Sequence, residues 1–331
     1  MELTPEIKER LTLLENKYAV IGQDLKSYLD GLLYADPLTY WDYVHTDTLL
    51  SLQNTKTDFP DEMVFLMYHQ ITELYFKLTL HELYQIAHNG KDVAEDGEDK
   101  GWKERLDADF FLDRIFRINQ YFKVLIESFE IMVKGMEQDQ FHRFRMALLP
   151  ASGFQSAQYR KIEIYATDFI NLVKSDMREE LSRTADTKVM FDYVYWKQGA
   201  SELATGKKTL TLRQFEEKYS KELIKLAREC STRNLWKKYH ELTPQEQQRE
   251  DIINGLKQFD VNVNINWPLV HYKSAVRYLQ QSEKVIAATG GTNWQQYLPP
   301  KFQKRIFYPE LWSEQEKAEW GKGWVDDIIS K

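Results

Sequence analysis

The sequence predicts an all-α protein, a multi-helix bundle whose helices cross around a central core. Three observations lead there. Glycine and proline are scarce, 14 and 9 in 331 residues, which leaves room for few of the tight turns that a hairpin-rich sheet needs. Apolar residues recur at three- and four-residue intervals over long stretches, the period of a helix buried along one side. No strand-rich block, internal repeat or low-complexity tract interrupts them. With 43% hydrophobic and 29% charged residues, the composition is that of a soluble globular chain with a real core.

The elements follow in order. Thr4-Pro5-Glu6 is a helix start, an N-cap hydroxyl followed by proline and an acid. Leu11, Leu14, Tyr18, Ile21 and Leu25 then predict a helix over residues 4–33. The arm, residues 1–38, has no partner face within itself and is expected to pack on a neighbouring subunit. Asp61 to His88 is predicted as one long helix with Val64, Met67, Ile71, Leu74, Leu78 and Leu80 as its apolar positions. Residues 89–101 read as an acidic, exposed loop. Asp107 to Gln138 is predicted as another helix, Asp139 to Leu149 continues or follows it, and Gln155 to Val173 is a third. Residues 174–265 are harder to read, with helical stretches at 191–202, 212–229 and 244–258. Trp267 to Ala288 closes the series, with Pro268 in its first turn and Gly290-Gly291 past its end. The tail from Asn293 is rich in Trp, Tyr and Pro and is expected to be coil with short helices. The whole, 1–331, is expected to be a single domain with 1–38 as its arm.

Composition excludes several functions. A net charge of −7 gives no reason to expect a nucleic-acid partner. A single cysteine, Cys230, excludes an intrachain disulfide and a cysteine metal cluster, and fits a reducing cytoplasm. The charged N-terminus is not a signal peptide, and no apolar run is long enough to span a membrane. A dinucleotide fingerprint, a phosphate loop, HExxH and a nucleophile elbow are all absent.

The chemistry-bearing residues concentrate in a few places. Phe141 to Arg160 (FHRFRMALLPASGFQSAQYR) places Arg145, Phe141 and the small donors of Ser152-Gly153-Phe154-Gln155-Ser156 near one another. Arg145 lies among Phe141, Phe144 and Leu148, and a buried arginine requires an anion, for which a carboxylate suits its fork. The plainer reading of Arg145 is a structural ion pair. Of the seven histidines, His69 sits inside an apolar helix with Phe65 one turn before it. It reads either as a hydrogen-bonded core residue or as an imidazole facing a pocket. Paired with Glu73 it forms half of a metal site, and no second such pair exists. His271 follows Trp267 by one turn. A single histidine is a weak metal signal, yet it is what an axial haem ligand requires, and Trp267, Arg160, Ser152 and Ser156 are the residue types that line a haem slot. Thr289-Gly290-Gly291 reads as a helix C-cap, or as a polar donor to the end of a ligand.

These strings together resemble the tryptophan 2,3-dioxygenases. Four islands carry the resemblance across most of the chain and in the family's order: Tyr40-Trp41-Asp42-Tyr43 with Leu49 to Gln53; FLMYHQITELYFKLTLHEL (65–83); FHRFR with PASGFQSAQYRKIE (141–163); and Trp267 and His271 with Thr289-Gly290-Gly291. Residues 174–265 match only loosely. The resemblance implies a haem b enzyme that opens the indole ring of L-tryptophan with O2 to give N-formyl-L-kynurenine. It implies His271 as the proximal iron ligand and His69 as the distal base toward the indole nitrogen. Arg145 would clamp the substrate carboxylate, Thr289 its amino-acid end, and Phe65 and Phe141 would wall the indole. Trp267 and Ser152 would lie beside the haem, and Arg160 would pair with a propionate. Tyr40 and Tyr43 would reach into a neighbour's site in a cytoplasmic homotetramer. The chain departs from the family pattern in Tyr68, in the ATGGTN turn, and in roughly one extra helical turn between His271 and Thr289. Two alternatives stay open on the residues: a haem enzyme of the same scaffold oxidising another indole or aromatic amine, and a haem or ligand sensor that turns nothing over.

Overall fold

The computed structural model describes residues 3–35, 38–90, 105–183, 186–198, 200, 207–279, 298, 300 and 304–322. The described residues are predominantly helical and contain no strand, only one isolated antiparallel bridge between Val173 and Val194. None of their helices is long and apolar enough to cross a membrane.

The chain forms two compact units, Met1–Asn54 and Thr55–Lys331. In the first, the single predicted helix is two. Helix α1 (Pro5–Ala19) is capped by Thr4 and α2 (Leu25–Leu33) by Asp24. The break falls at Gly22, whose φ of 70° lies in the left-handed region that glycine enters without strain. Tyr18 stacks on Tyr28 at 3.8 Å. Short helices α3 (Tyr40–Val44) and α4 (Thr46–Leu50) follow, joined at His45. No described residue of this unit is buried within it.

The second unit is built on α5 (Pro60–Ala87), 28 residues and so about 42 Å long. It packs chiefly on α6 (Ala108–Ser128) and α9 (Ala157–Ala166). Between these two lie α7 (Glu130–Lys134), α8 (Gln138–Phe144) and a 3-10 turn, Arg145–Leu148. The helix predicted to run to Gln138 therefore ends ten residues earlier, at Ser128, and restarts. Gly135 closes α7 because a Cβ there would stand 2.5 Å from the Ile131 carbonyl oxygen. The middle region contains α10 (Arg178–Leu181), α11 (Thr187–Asp192), α12 (Tyr195–Gln198), α13 (Leu210–Glu229), α14 (Leu235–Glu241) and α15 (Pro244–Gln247). Then come α16 (Glu250–Val261), α17 (Trp267–Leu279) and α18 (Glu314–Glu319).

Two expectations are corrected. On α5 the core stripe is Tyr68, Thr72, Phe76, Thr79, Leu83 and Ile86, whereas Met67, Ile71, Leu74 and Leu78 are 40–51% exposed. The helix is apolar on two faces, and the more polar of them meets the core because Tyr68 and the threonines bond internal carbonyls. Trp267 is not a helix start. The π-helical segment Asn262–Asn266 joins α16 to α17 in one helical run, so Pro268 sits inside it. Proline has no N–H and crowds the carbonyl one turn back, and the widened π segment immediately before it accommodates both.

One buried carboxylate ties the C-terminal segment to this run. Asp260 accepts from the backbone N–H of Phe307 (3.0 Å) and Tyr308 (3.2 Å), from Trp312 Nε1 (3.0 Å) and from Asn264 Nδ2 (2.7 Å). Burial pushes its pKa up to about 6 and the donors hold it down from higher, so at neutral pH it is ionised. Asp260→Ala leaves those donors buried and unmatched, and should lower unfolding free energy by about 3 kcal/mol in urea titrations. An unchanged midpoint would remove Asp260 from this role.

Candidate active site

Helix α5 carries His69 and α17 carries His271, and the same local bond orients both rings. His69 Nδ1 lies 2.7 Å from the Phe65 carbonyl oxygen and His271 Nδ1 lies 2.8 Å from that of Trp267, each one turn back. A carbonyl only accepts, so Nδ1 carries the proton and Nε2 is left as a lone pair. Neither Nε2 has a hydrogen-bond partner among the described residues. His88, near the end of α5, makes the same bond to Tyr84, but its Nε2 faces Arg233 Nη1 at 3.0 Å.

Burial keeps both site imidazoles neutral. It lowers the pKa of His69, against a weaker opposing pull from its own hydrogen bond and Glu73. It is also the largest cause at His271, which it lowers to about 4, against an opposing pull from the bond to the Trp267 carbonyl.

Aromatic side chains set the walls. Phe65 lies 4.2 Å from His69, ring centre to ring centre, and packs against Phe141 and Phe144. Phe141 also meets Tyr278 of α17 at 4.6 Å, so α8 is wedged between the helices that carry the two histidines. On the far side Phe129 and Trp267 flank His271, each at 4.4 Å. Trp267 is buried, with its edge on Phe76 and Phe129. Tyr68 packs its ring edge-on against Phe129 and donates its hydroxyl to the Leu125 carbonyl.

Arg145 opens the 3-10 turn after α8 and is only 6% exposed, where burial pulls its pKa down. Its charge also reaches His142, already depressed by burial. Phe65, His69 and Phe141 pack together, Phe141 reaches α17 through Tyr278, and Trp267 and His271 pack with Phe129. Arg145 lies one turn after Phe141, at the end of α8.

The other predicted site residues are placed differently. Ser152 forms a capping box with Gln155 at the turn before α9 and is half-buried. Arg160 is paired within the protein: its Nη1 donates to Glu163 (3.0 Å) and to the Tyr195 hydroxyl (2.7 Å), inside a buried cluster that also holds Arg305. An arginine three residues before a buried glutamate on one helix has an anion at hand locally, and both of these bonds use Nη1 alone. Tyr40 and Tyr43 are 71% and 75% exposed on the first unit. Thr289, with Gly290 and Gly291, lies outside the described residues. The residues that sequence reasoning missed are Phe129 and Tyr278, whose sites of action depend on helices distant in sequence.

Among the described residues no group of three or more His, Cys, Asp and Glu is gathered as a metal site. A buried, neutral imidazole whose Nδ1 is bonded to a backbone carbonyl, among flat aromatic rings, matches what a haem requires of an axial ligand.

A model of the tryptophan 2,3-dioxygenase family matches residues 34–252. His271 lies beyond that stretch, so its reading rests on the geometry above and on longer alignments. Among curated proteins, the tryptophan 2,3-dioxygenase of Bacillus cereus (strain ATCC 10987 / NRS 248) is 27% identical over 291 residues, 86% of this chain and 94% of that protein. That of Ruegeria sp. (strain TM1040) is 39% identical over 130 residues, 39% of this chain and 42% of that protein. That of Polaromonas naphthalenivorans (strain CJ2) is 33% identical over 147 residues, 44% of this chain and 46% of that protein.

The depressed His271 has a consequence for stability. Its folded pKa, about 4, lies below the ordinary value of 6.5, so the unfolded chain binds more protons between these limits. Stability is full above pH 6.5 and falls as pH drops toward 4, by at most about 3 kcal/mol from this group, since part of the ring is open to the site. Denaturation of the ligand-free protein from pH 7 to 4 should show the loss, and His271→Phe should flatten it.

Proposed function

The chain belongs to the tryptophan 2,3-dioxygenase family, and from that premise we propose that it cleaves the indole C2–C3 bond of L-tryptophan with O2 to give N-formyl-L-kynurenine, using haem b. Haem bound in this site supplies the iron chemistry that adds both oxygen atoms across that bond. The observation that carries the reading is the pair His69 and His271, locked alike at Nδ1 and kept neutral by burial, each packed against aromatic rings.

Each side chain then has a distinct task. His271 would hold the iron through Nε2, with the Trp267 carbonyl fixing its tautomer and strengthening it as a ligand. His69, the neutral partner, would accept the indole N–H at its own Nε2 and so set which edge of the ring faces the iron. Phe65 and Phe141 would hold the ring plane and exclude water. Arg145 would take the carboxylate through two parallel N–H donors, an orientation that lysine does not reproduce. The protein's contribution is chiefly alignment of the two reacting carbons. Ser152 would border the haem edge, Trp267 would pack beside it, and Thr289 would close on the amino-acid end. Arg160, oriented by Glu163 and Tyr195 through Nη1, would lend its charge to a haem propionate.

A homotetramer completes this reading. The first unit buries none of its described residues, and α5 presents the exposed stripe Met67, Ile71, Leu74 and Leu78. Apolar faces of that extent call for a protein partner. Tyr40 and Tyr43 would then reach a neighbouring subunit's site. Cys230 is buried and pushed up to about 12, an inert thiol suited to a cytoplasmic setting.

Three outcomes test these assignments. The purified protein, reduced and given tryptophan and O2, should accumulate N-formylkynurenine, and His271→Ala should lose the Soret band. A full Soret band in that variant would end the axial assignment. Arg145→Ala should raise KM for tryptophan by roughly thirtyfold or more, as expected for a lost buried carboxylate contact of about 2–5 kcal/mol. Tryptamine, which has no carboxylate, should respond little to the same substitution. Leu74→Glu should shift the light-scattering mass below that of the wild-type assembly, and an unaltered mass would show that this stripe is not an interface.

A further inference from the structure

Pro268 creates an unusual hydrogen-bonding problem three residues before His271. In the π segment the Trp267 N–H bonds the Asn262 carbonyl, five residues back. The Val263 carbonyl therefore loses its α-helical donor, which is Trp267. Its π-helical donor is residue 268, a proline with no N–H. A buried carbonyl with no donor is costly, so one must arrive from outside the helix. It comes from α9: the Tyr159 hydroxyl donates to the Val263 carbonyl oxygen at 3.0 Å.

We propose that Tyr159 is a positioning residue for His271, holding the π-helical register that sets the direction of the imidazole. One residue of register corresponds to about 100° of rotation around the helix. Loss of the Val263 bond would therefore turn His271 rather than merely loosen it. The inference rests on the reading of His271 as the haem-holding residue and extends it to the element behind.

Two further observations support the role. Tyr159 is itself tightly placed: its N–H bonds the Ser156 hydroxyl that caps α9, and its ring packs on Phe76, which in turn meets Trp267. Its hydroxyl also borders a buried charge cluster in which Arg160 and Arg305 share Glu163 and the Tyr195 hydroxyl. Burial pushes the Tyr159 phenol up, and the Arg305 charge works in the opposite direction, polarising the O–H as a donor. Arg305 belongs to the segment that Asp260 grips through Phe307 and Tyr308, so the same helical run is held at two points, Asp260 and Val263, ahead of the proline. The SGFQS turn, singled out in the sequence for its small donors, thus acts on the site from behind, through Ser156 and Tyr159.

The test compares Tyr159→Phe, Pro268→Ala and the double variant. P268A returns an N–H to the helix, so it should rescue Y159F. In the haem-loaded ferrous protein, Y159F should shift the iron–histidine stretching band and weaken haem affinity about tenfold, the scale of one unmatched buried carbonyl. The double variant should recover both. In the haem-free protein, deuterium exchange over residues 262–271 should quicken in Y159F and return to normal in the double variant. A lower melting temperature in Y159F with unchanged stretching band, affinity and exchange would overturn the proposal, as would absence of rescue by P268A. Retention of a wild-type haem spectrum by H271A would instead overturn the haem reading, while the exchange of the haem-free protein would still decide the register claim.

Discussion

The bond from each site imidazole to the carbonyl one helical turn behind it is the constraint on which the active site depends. It selects the Nδ1–H tautomer, fixes the ring plane, and leaves one lone pair directed away from the helix. Burial then maintains that state by making the charged form expensive. His88 shows that the bond alone does not make a site. There the same geometry ends on Arg233, and the ring is simply part of the packing between α5 and the region of α14. What distinguishes His69 and His271 is that their rings pack against phenylalanine and tryptophan rings, and no described residue bonds their Nε2.

That surround is built from pieces far apart in the chain. Helix α8 is held by Phe65 of α5 on one side and Tyr278 of α17 on the other. The ring that carries the putting-together of these two helices, Phe141, lies one turn before Arg145, so the arginine's position follows from the same contacts that set the distance between the histidines. Behind α17, a proline, a π segment, a tyrosine hydroxyl and a buried aspartate form a second layer. Each answers an unsatisfied backbone or charged group left by another, which is why they occur together.

The apolar surfaces left open by a single chain follow the same logic at larger scale. A helix with apolar residues on two faces buries one in its own core and keeps the other for a partner. On α5 the core received the face with Tyr68, Thr72 and Thr79, because their hydroxyls bond carbonyls of α5 itself or of α6. The all-aliphatic stripe remained outside. Periodicity alone reports both stripes equally, and so the wrong one was the natural expectation for the core.

The sequence by itself determined the helical class, the position of α5 and α13 to within a few residues, the start of α9 though not its end, which comes at Ala166 rather than Val173, and the family, because these depend on local period, on caps such as Thr4, and on strings such as PASGFQS. It also determined which residue types were available for the site. Tertiary structure alone decided how they are used. Gly22, Phe129 and the π segment break or join helices where a periodic pattern runs through, since the energies involved come from turn geometry and from neighbours rather than from pattern. Arg160 is paired with Glu163 on its own helix and with Tyr195, brought to it by packing, and Tyr159, unremarked among the residues of its turn, bonds a carbonyl 104 positions away. A hydrogen bond of that kind depends on distance in space, and nothing in the local sequence of α9 encodes that a proline elsewhere has left a carbonyl without its donor.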